Sequence, residues 1–204
     1  MKKRIYIVAG IILGILLFDQ ILKWYIKTHF MLGEDYKIFD WFYIHFTENP
    51  GMAFGLTLSS GDVGKLILSL LRLIAAIAIG WYLVRLIKEK AKIIFISAIS
   101  FIWAGAVGNI IDSLFYGIIY SSSEGQLAQL FPHEGGYGTF LHGKVVDMLY
   151  FPLIEGHFPS WFPIWANEPF IFFRPVFNIA DSSITVGVVL IILFYNKIFP
   201  KKIN

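Results

Sequence analysis

The chain of 204 residues contains no cysteine. Disulfides, thiolate metal sites and a cysteine nucleophile are therefore excluded. The chain also lacks the thiol that would carry a lipid if the protein were itself a lipoprotein. Any chemistry must depend on other polar side chains.

Charged residues are scarce as well. They make up 15% of the chain, against 57% hydrophobic residues, and the mean hydropathy is +0.68. A soluble domain carries about 25% charged residues, so this composition indicates a membrane protein. The formal net charge of +3 does not indicate a nucleic-acid partner, because the basic residues cluster at the ends of apolar segments.

Four apolar segments are long enough to cross a bilayer, which takes about 20 helical residues. They cover approximately residues 5–26, 66–87, 93–111 and 179–199. The first could instead be a cleavable signal peptide, but its apolar run is too long and no small-residue cleavage site follows. We therefore predict an all-α membrane protein with four transmembrane helices, organised as a single domain over residues 1–204.

Lysine and arginine predict the orientation of these helices. They flank the amino end, the link between the second and third spans, and the carboxyl end (Lys2, Lys3 and Arg4; Arg85, Lys88, Lys90 and Lys92; Lys197, Lys201 and Lys202). The positive-inside rule then predicts that both termini are cytoplasmic. Residues 28–64 and 113–177 are expected to lie outside.

The two outer segments differ in character. Alternation over residues 41–46 predicts a short strand or strand pair, and so a small β-containing region. Residues 113–177 are predicted to form a long loop, in which residues 121–136 are peripheral and can be shortened without loss of folding. The aromatic stretch 158–165 suits either the membrane interface or a substrate-facing surface.

Ionisable groups inside apolar segments are costly, so each is a candidate for function or structure. Asp19 and Lys23 lie four residues apart on one helical face, which predicts an ion pair with a structural role. Arg72 is expected to snorkel toward the outer surface.

Further polar residues converge on the predicted outer membrane surface. The glycines Gly105 and Gly108 share a face of the third span and predict close helix packing there. The converging residues are Asn49 and Gly51 before the second span, Asn109 and Asp112 at the end of the third, Asp147 in the outer loop, and Asn178 and Asp181 at the start of the fourth.

These residues favour acid–base catalysis by a pair of carboxyl groups. The histidines His29, His45, His133, His142 and His157 lack metal-ligand spacing, so no metal site is predicted. Two aspartates that share one proton can activate a water molecule and protonate a substrate. A helix N-terminus favours an ionised Asp181, and the apolar neighbours of Asp147 favour a raised pKa there.

Several separated motifs give the chain a resemblance to the lipoprotein signal peptidase (signal peptidase II) family. The matching segments are Asp19-Gln20 with Lys23, Asn49 to Phe54, Gly108 to Asp112, Val145 to Asp147, and Phe177 to Asp181. Each segment alone is weak evidence. Their order and their placement against four apolar spans make the set specific.

The resemblance implies an aspartic endopeptidase of the bacterial inner membrane, with Asp147 and Asp181 as the catalytic pair. The substrate would be a prolipoprotein whose cysteine carries diacylglycerol, cut just before that cysteine. No cofactor is implied. Asn49, Asn109, Asp112 and Asn178 would line or shape the site. We expect a monomer surrounded by membrane lipid, with the site at the outer face.

The chain departs from the family pattern at two places. Ser113 stands where the family usually has arginine, and Lys144 or Arg174 is expected to replace that charge if it is not lost. The stretch 113–146 between Asp112 and Asp147 is also longer than the family's connection.

Two other classes of protein remain as alternatives. One is a small transporter or channel with Asp19, Lys23 and Asp112 as a relay. Polar groups at one membrane face argue against it, because a transport path needs them at the midplane and inner side too. The other is a lipid-binding protein without catalysis, which would not require both Asp147 and Asp181.

Overall fold

Three long apolar helices form the body of the molecule. A computed structural model describes residues 1–50, 62–172 and 175–200. Helix α1 spans Lys2–His29, α2 spans Asp62–Lys88 and α3 spans Ile93–Ile111. Within these described ranges, three helices are long and apolar enough to cross a membrane, and the third continues to Ile119. The long runs without charge thus form helices, as predicted.

The fourth apolar segment folds into two helices. Helix α5 runs Ile179–Leu193 and α6 runs Tyr195–Ile198. Asn178 caps α5: its side chain accepts a hydrogen bond from the Asp181 amide, and the Asp181 side chain accepts one from the Asn178 amide. This reciprocal capping box satisfies two backbone donors at the helix start.

Helix α3 lies at the centre of the bundle, packed against α1, α2 and α5. Glycines set the distance between α3 and α5. A Cβ atom at Gly105 would lie 2.2 Å from the carbonyl oxygen of Ala180, and one at Gly187 would lie 2.6 Å from that of Ala98. The small residues therefore allow backbone contact between these helices, as predicted for Gly105.

Two apolar cores occupy different parts of the fold. The first joins the start of α1 with the end of α2 and the start of α3, around Val8, Leu83 and Ile96. The second surrounds Ile26, near the end of α1, and includes Phe46 and Val146 from the sheet. The second core fixes the sheet to the helices.

The sheet contains four antiparallel strands in the order β1-β2-β3-β6, comprising Asp35–Phe39, Phe42–Asn49, Val145–Tyr150 and Val176–Phe177. The strand pair predicted around residues 41–46 is thus present as β1 and β2. In the register of β2 and β3, Thr47 pairs with Asp147 and Asn49 pairs with Val145. This register brings Asn49 beside Asp147.

The rest of the outer segment is more structured than a loop. A π-helical turn at Asp112–Tyr116 leads into α4, Gly117–Ile119. Between β3 and β6, a separate hairpin pairs β4, Ile154–His157, with β5, Pro169–Phe172.

The predicted peripheral position of residues 121–136 is wrong. Ser123 and Ala128 are buried, and the amide of Ala128 donates to the carbonyl of Lys27 at 3.3 Å. The segment packs onto α1 and is part of the second core.

Candidate active site

Asp147 lies in β3 with its side chain buried. Its Oδ1 accepts a hydrogen bond from Nδ2 of Asn178 at 2.7 Å, and the Asn49 side chain is a second hydrogen-bond partner. Burial, together with the nearby charge of Asp181, raises the pKa of Asp147 from 3.8 to about 7. A neutral carboxyl group is therefore well populated at this position near neutral pH.

Asp181 lies in the first turn of α5. Its Oδ1 accepts a hydrogen bond from Nδ2 of Asn109 at 2.8 Å, and its Oδ2 accepts one from the backbone amide of Asn178 at 3.3 Å. A helix N-terminus also attracts negative charge. Asp181 thus accepts hydrogen bonds from a side-chain amide and a backbone amide, whereas Asp147 is buried beside two asparagine side chains.

Asn178 joins the two aspartates. Its Nδ2 is 2.7 Å from Asp147 Oδ1 and 3.0 Å from Asn109 Oδ1, while its Oδ1 accepts from the amide of Asp181 at 2.9 Å. The Asn178 side chain is fully buried. One side chain therefore fixes the start of α5, the carboxyl group of Asp147 and the orientation of Asn109.

Beneath this site lies a buried ion cluster. Nζ of Lys23 is 2.9 Å from Asp19 Oδ2 and 2.8 Å from Asp112 Oδ2. It also donates to Asn109 Oδ1 at 3.0 Å. The predicted pairing of Asp19 with Lys23 is thus present, and Asp112 is a second partner.

The two cluster carboxylates also hold backbone of the site. Asp19 Oδ1 accepts from the amide of Ala180 at 2.9 Å, and Asp112 Oδ2 accepts from the amide of Val146 at 3.2 Å. The residues before Asp181 and Asp147 are therefore tied to the same cluster. This arrangement agrees with the structural role predicted for Asp19 and Lys23.

Gln20 has a role in the site that the sequence did not predict. Its Nε2 donates to Asp112 Oδ1 at 2.9 Å, and its Oε1 accepts from the hydroxyl of Tyr116 at 3.1 Å. Tyr116 lies in the π-helical turn, so its approach to Gln20 depends on irregular helix geometry that no motif in the sequence marks.

Arg72 shares one face of α2 with Ser69, and its charge reaches the candidate site. Ser69, three residues earlier on that face, donates its hydroxyl to the carbonyl of Leu141 at 2.9 Å. The guanidinium of Arg72 is half-buried, and its charge acts on the carboxylates of Asp181, Asp147 and Asp112. Among the described residues, it supplies a positive charge from the helix opposite the aspartates.

Lys144 does not supply the partner of Asp112, which was one of the possible replacements for the family arginine. Its Nζ lies 3.1 Å from Oε2 of Glu48 and 3.8 Å from Oε1 of Glu124. The charge partner of Asp112 is Lys23 instead, and Ser113 donates its hydroxyl to the carbonyl of Asn109 at 3.0 Å. Arg174 and Gly51 lie outside the described residues.

Glu48 is the centre of a second buried cluster. It pairs with Lys27 as well as Lys144, and its Oε1 accepts from the hydroxyl of Ser123 at 3.0 Å. Burial opposes ionisation, but Lys27 and Lys144 hold the pKa of Glu48 below its ordinary value. Nζ of Lys27 also lies 4.9 Å from the ring centre of Tyr137. This cluster joins α1, β2 and the segment that follows α4.

The histidines form no metal centre in the part of the chain that the structure describes. No group of three or more histidine, aspartate or glutamate side chains is arranged there to hold a metal ion. His45, for example, pairs with Asp35 at 2.6 Å on the exposed face of the sheet.

Comparison with known proteins identifies relatives over nearly the whole chain. Residues 11–197 match the family described as Signal peptidase (SPase) II. A lipoprotein signal peptidase of Porphyromonas gingivalis is 52% identical over 190 residues, which cover 93% of this chain and 82% of that protein. A lipoprotein signal peptidase of Amoebophilus asiaticus is 36% identical over 200 residues, covering 95% of this chain and 79% of that protein.

A solved structure has the same overall fold. It is described as a bacterial membrane enzyme, and it aligns with 97% of this chain and 94% of its own chain at 27% identity and a TM-score of 0.59. The family match and the two relatives confirm the family that the sequence resembles. The chain therefore belongs to the signal peptidase II family.

Proposed function

We propose that Asp147 and Asp181 are the catalytic pair of this signal peptidase II. The enzyme removes the signal peptide from lipid-modified prolipoproteins by cutting just before the lipidated cysteine. The observation that carries the assignment is the Asn178 side chain, which hydrogen-bonds Asp147 at 2.7 Å while its oxygen binds the amide of Asp181. Asn178 thus contacts both carboxyl groups, that of Asp147 through its side-chain amide and that of Asp181 through its backbone amide. The transporter and lipid-binder alternatives are set aside.

The pair begins the reaction with one proton. The raised pKa of Asp147, about 7, favours its neutral form, and Asp181 at the N-terminus of α5 is the carboxylate. Asp181 takes a proton from a water molecule whose oxygen attacks the scissile carbonyl carbon. Asp147 donates a hydrogen bond to the carbonyl oxygen as negative charge develops there.

The second step breaks the peptide bond. The tetrahedral intermediate collapses, the carbon–nitrogen bond breaks, and a proton from the pair passes to the leaving nitrogen. The products are the carboxyl end of the signal peptide and the free amino group of the lipidated cysteine. The pair keeps one proton, so it is ready for the next water molecule.

The surrounding polar residues support the pair. Asn49, Asn109 and Asn178 orient the two carboxyl groups through the hydrogen bonds already described. Gly51 is proposed to be a substrate-binding or supporting residue, on the motif alone. Asp19, Lys23 and Asp112 act below the site as a rigid support.

We also propose how the enzyme sits in the membrane. Helices α5 and α6, joined by Phe194, would extend about 30 Å at about 1.5 Å per residue, enough for a fourth span. With the basic flanks inside, both termini are cytoplasmic and the aspartates lie at the outer face. Residues 1–204 then form one monomeric membrane domain.

The test of the catalytic assignment is cleavage by Asp147→Asn and Asp181→Asn. The cleavage rate of each variant should be lower by a factor of about 10²–10⁴, because asparagine can neither accept nor release the proton. The assay follows a lipid-modified precursor and an unmodified one side by side, with thermal unfolding of the purified variants in parallel. The unmodified precursor should remain uncut by every form of the enzyme.

Asp40→Asn is the matched control, because that carboxylate is 92% exposed and pairs with Lys37 away from the site. It should cleave like the native enzyme. Substantial cleavage by a folded Asp147→Asn or Asp181→Asn enzyme would show that the pair is not catalytic.

A further inference from the structure

The tip of the β4–β5 hairpin, residues 158–168, exposes large apolar side chains in a fixed arrangement. Trp161 is 77% exposed, Ile164 is 72% exposed and Trp165 is 48% exposed. Residues 158–167 contain no charged side chain. An exposed apolar patch of this kind marks a surface that contacts either a membrane or another protein.

Backbone hydrogen bonds hold the tip in shape. The amide of Phe158 donates to the carbonyl of Glu168 at 3.0 Å, and the amide of Asn167 donates to the carbonyl of Phe158 at 3.0 Å. Ring packing adds to this: the centre of Phe158 lies 5.0 Å from that of Phe162 and 5.6 Å from that of Trp165. The exposure of Trp161 and Ile164 is therefore a property of a folded element.

The base of the hairpin is attached next to the start of α5. Phe151, just after β3, stacks on Phe177 with ring centres 5.6 Å apart. Phe177 precedes Asn178, the residue that caps α5. In the membrane placement proposed above, α5 begins at the outer boundary of the hydrocarbon core, so both ends of the hairpin are attached near that boundary.

We infer that the tip of this hairpin inserts into the membrane interface on the side where α5 begins, with Trp161, Ile164 and Trp165 in contact with lipid. Tryptophan favours this zone because its ring is apolar and its N–H can reach water or headgroups. The membrane-spanning helices are expected to present their own exposed apolar side chains, such as Ile77 of α2, to the same lipid. The inference does not depend on which aspartates are catalytic.

The absence of cysteine makes a direct test available. A single cysteine at Trp161→Cys or Ile164→Cys can carry a nitroxide in the full-length enzyme reconstituted into phosphatidylcholine vesicles. Collisions with oxygen and with a water-soluble nickel chelate then report the depth of the label. Glu134→Cys, on an exposed turn, is the aqueous control, and Ile77→Cys, 65% exposed on α2, is the lipid control.

Both tip labels should show an oxygen-to-nickel accessibility ratio severalfold above that of the Glu134 label. This ratio corresponds to a label about 5–10 Å deep in the headgroup and acyl-chain boundary. Two results would overturn the inference. A ratio equal to that of the Glu134 label would place the tip in water. Protection from both reagents would mean that protein, such as a second copy of this chain, covers the tip. Neither measurement uses cleavage, so the result is independent of the catalytic assignment.

Discussion

The side-chain amide of Asn178 lies 2.7 Å from the carboxyl oxygen of Asp147, and the same asparagine caps helix α5. The position and the protonation of the two candidate aspartates therefore both depend on the residue that begins helix α5. A change at Asn178 affects two separable properties, the stability of α5 and the donor to Asp147.

Two substitutions of Asn178 should separate these properties. Asn178→Ser keeps a capping oxygen but loses the amide donor, whereas Asn178→Ala loses both. We expect both variants to cleave slowly, because Asp147 loses a hydrogen bond. Only Asn178→Ala should lose about 1 kcal/mol of helix capping relative to the serine variant. Thermal unfolding and precursor cleavage measure the two effects, and equal stability of the two variants would contradict the capping role.

The raised pKa of Asp147 predicts how stability varies with pH. Its pKa is about 7 in the folded protein against 3.8 for the free side chain, so the folded state binds the proton more tightly. The stabilisation is complete below about pH 4 and is lost as the pH rises through about 7. The unfolding temperature of the native enzyme should therefore fall relative to that of Asp147→Asn over this range. Parallel curves for the two proteins would show that Asp147 is not perturbed.

The helices were largely predictable from the sequence because each depends on one continuous apolar run of the chain. Residues 93–111 were predicted as a span, and α3 runs Ile93–Ile111. The second span was predicted from 66 to 87, and α2 begins four residues earlier, at Asp62. The separation of α5 from α6 at Phe194 was not predicted, since no glycine or proline marks that position.

The site was predictable as a set of residues but not as a geometry. Motif resemblance pointed to Asp147, Asp181 and Asn178, and polar residues in apolar segments pointed to Lys23. That Asn178 bridges the aspartates depends on the register of β3 and on the close packing of α3 against α5. Such contacts join distant segments and leave no periodic signal in the sequence.

The segment after α4 is expected to be required for folding. Replacing residues 121–136 with a short glycine linker removes Ser123, which binds Lys27 at 2.9 Å, and the buried Ala128. Lys27 and Glu48 would then lose hydrogen bonds that they make inside the protein, and buried charges without partners are strongly destabilising. We expect a much lower unfolding temperature and less folded enzyme in membranes.

A smaller change tests the same contact without deleting the segment. Ser123→Ala should cost about 1 kcal/mol of stability, because two hydrogen bonds to the buried pair are lost. Glu134→Ala, on the exposed turn of the same segment, should unfold like the native enzyme. If Ser123→Ala and the linker variant both match native stability, the segment is peripheral after all.

Arg72 provides the last test, because it places a positive charge opposite the aspartates from a helix that carries none of them. A nearby cation favours the ionised form of a carboxyl group. Arg72→Met keeps an apolar side chain of similar length on the inner face of α2 but removes the charge. The pKa of Asp147 should then rise further, and the alkaline limb of kcat/KM should move to higher pH. Arg72→Lys keeps the charge and should leave the limb close to its native position. A change of packing alone would lower the rate at every pH without moving the limb, so an unmoved limb in Arg72→Met would remove Arg72 from the electrostatics of the site.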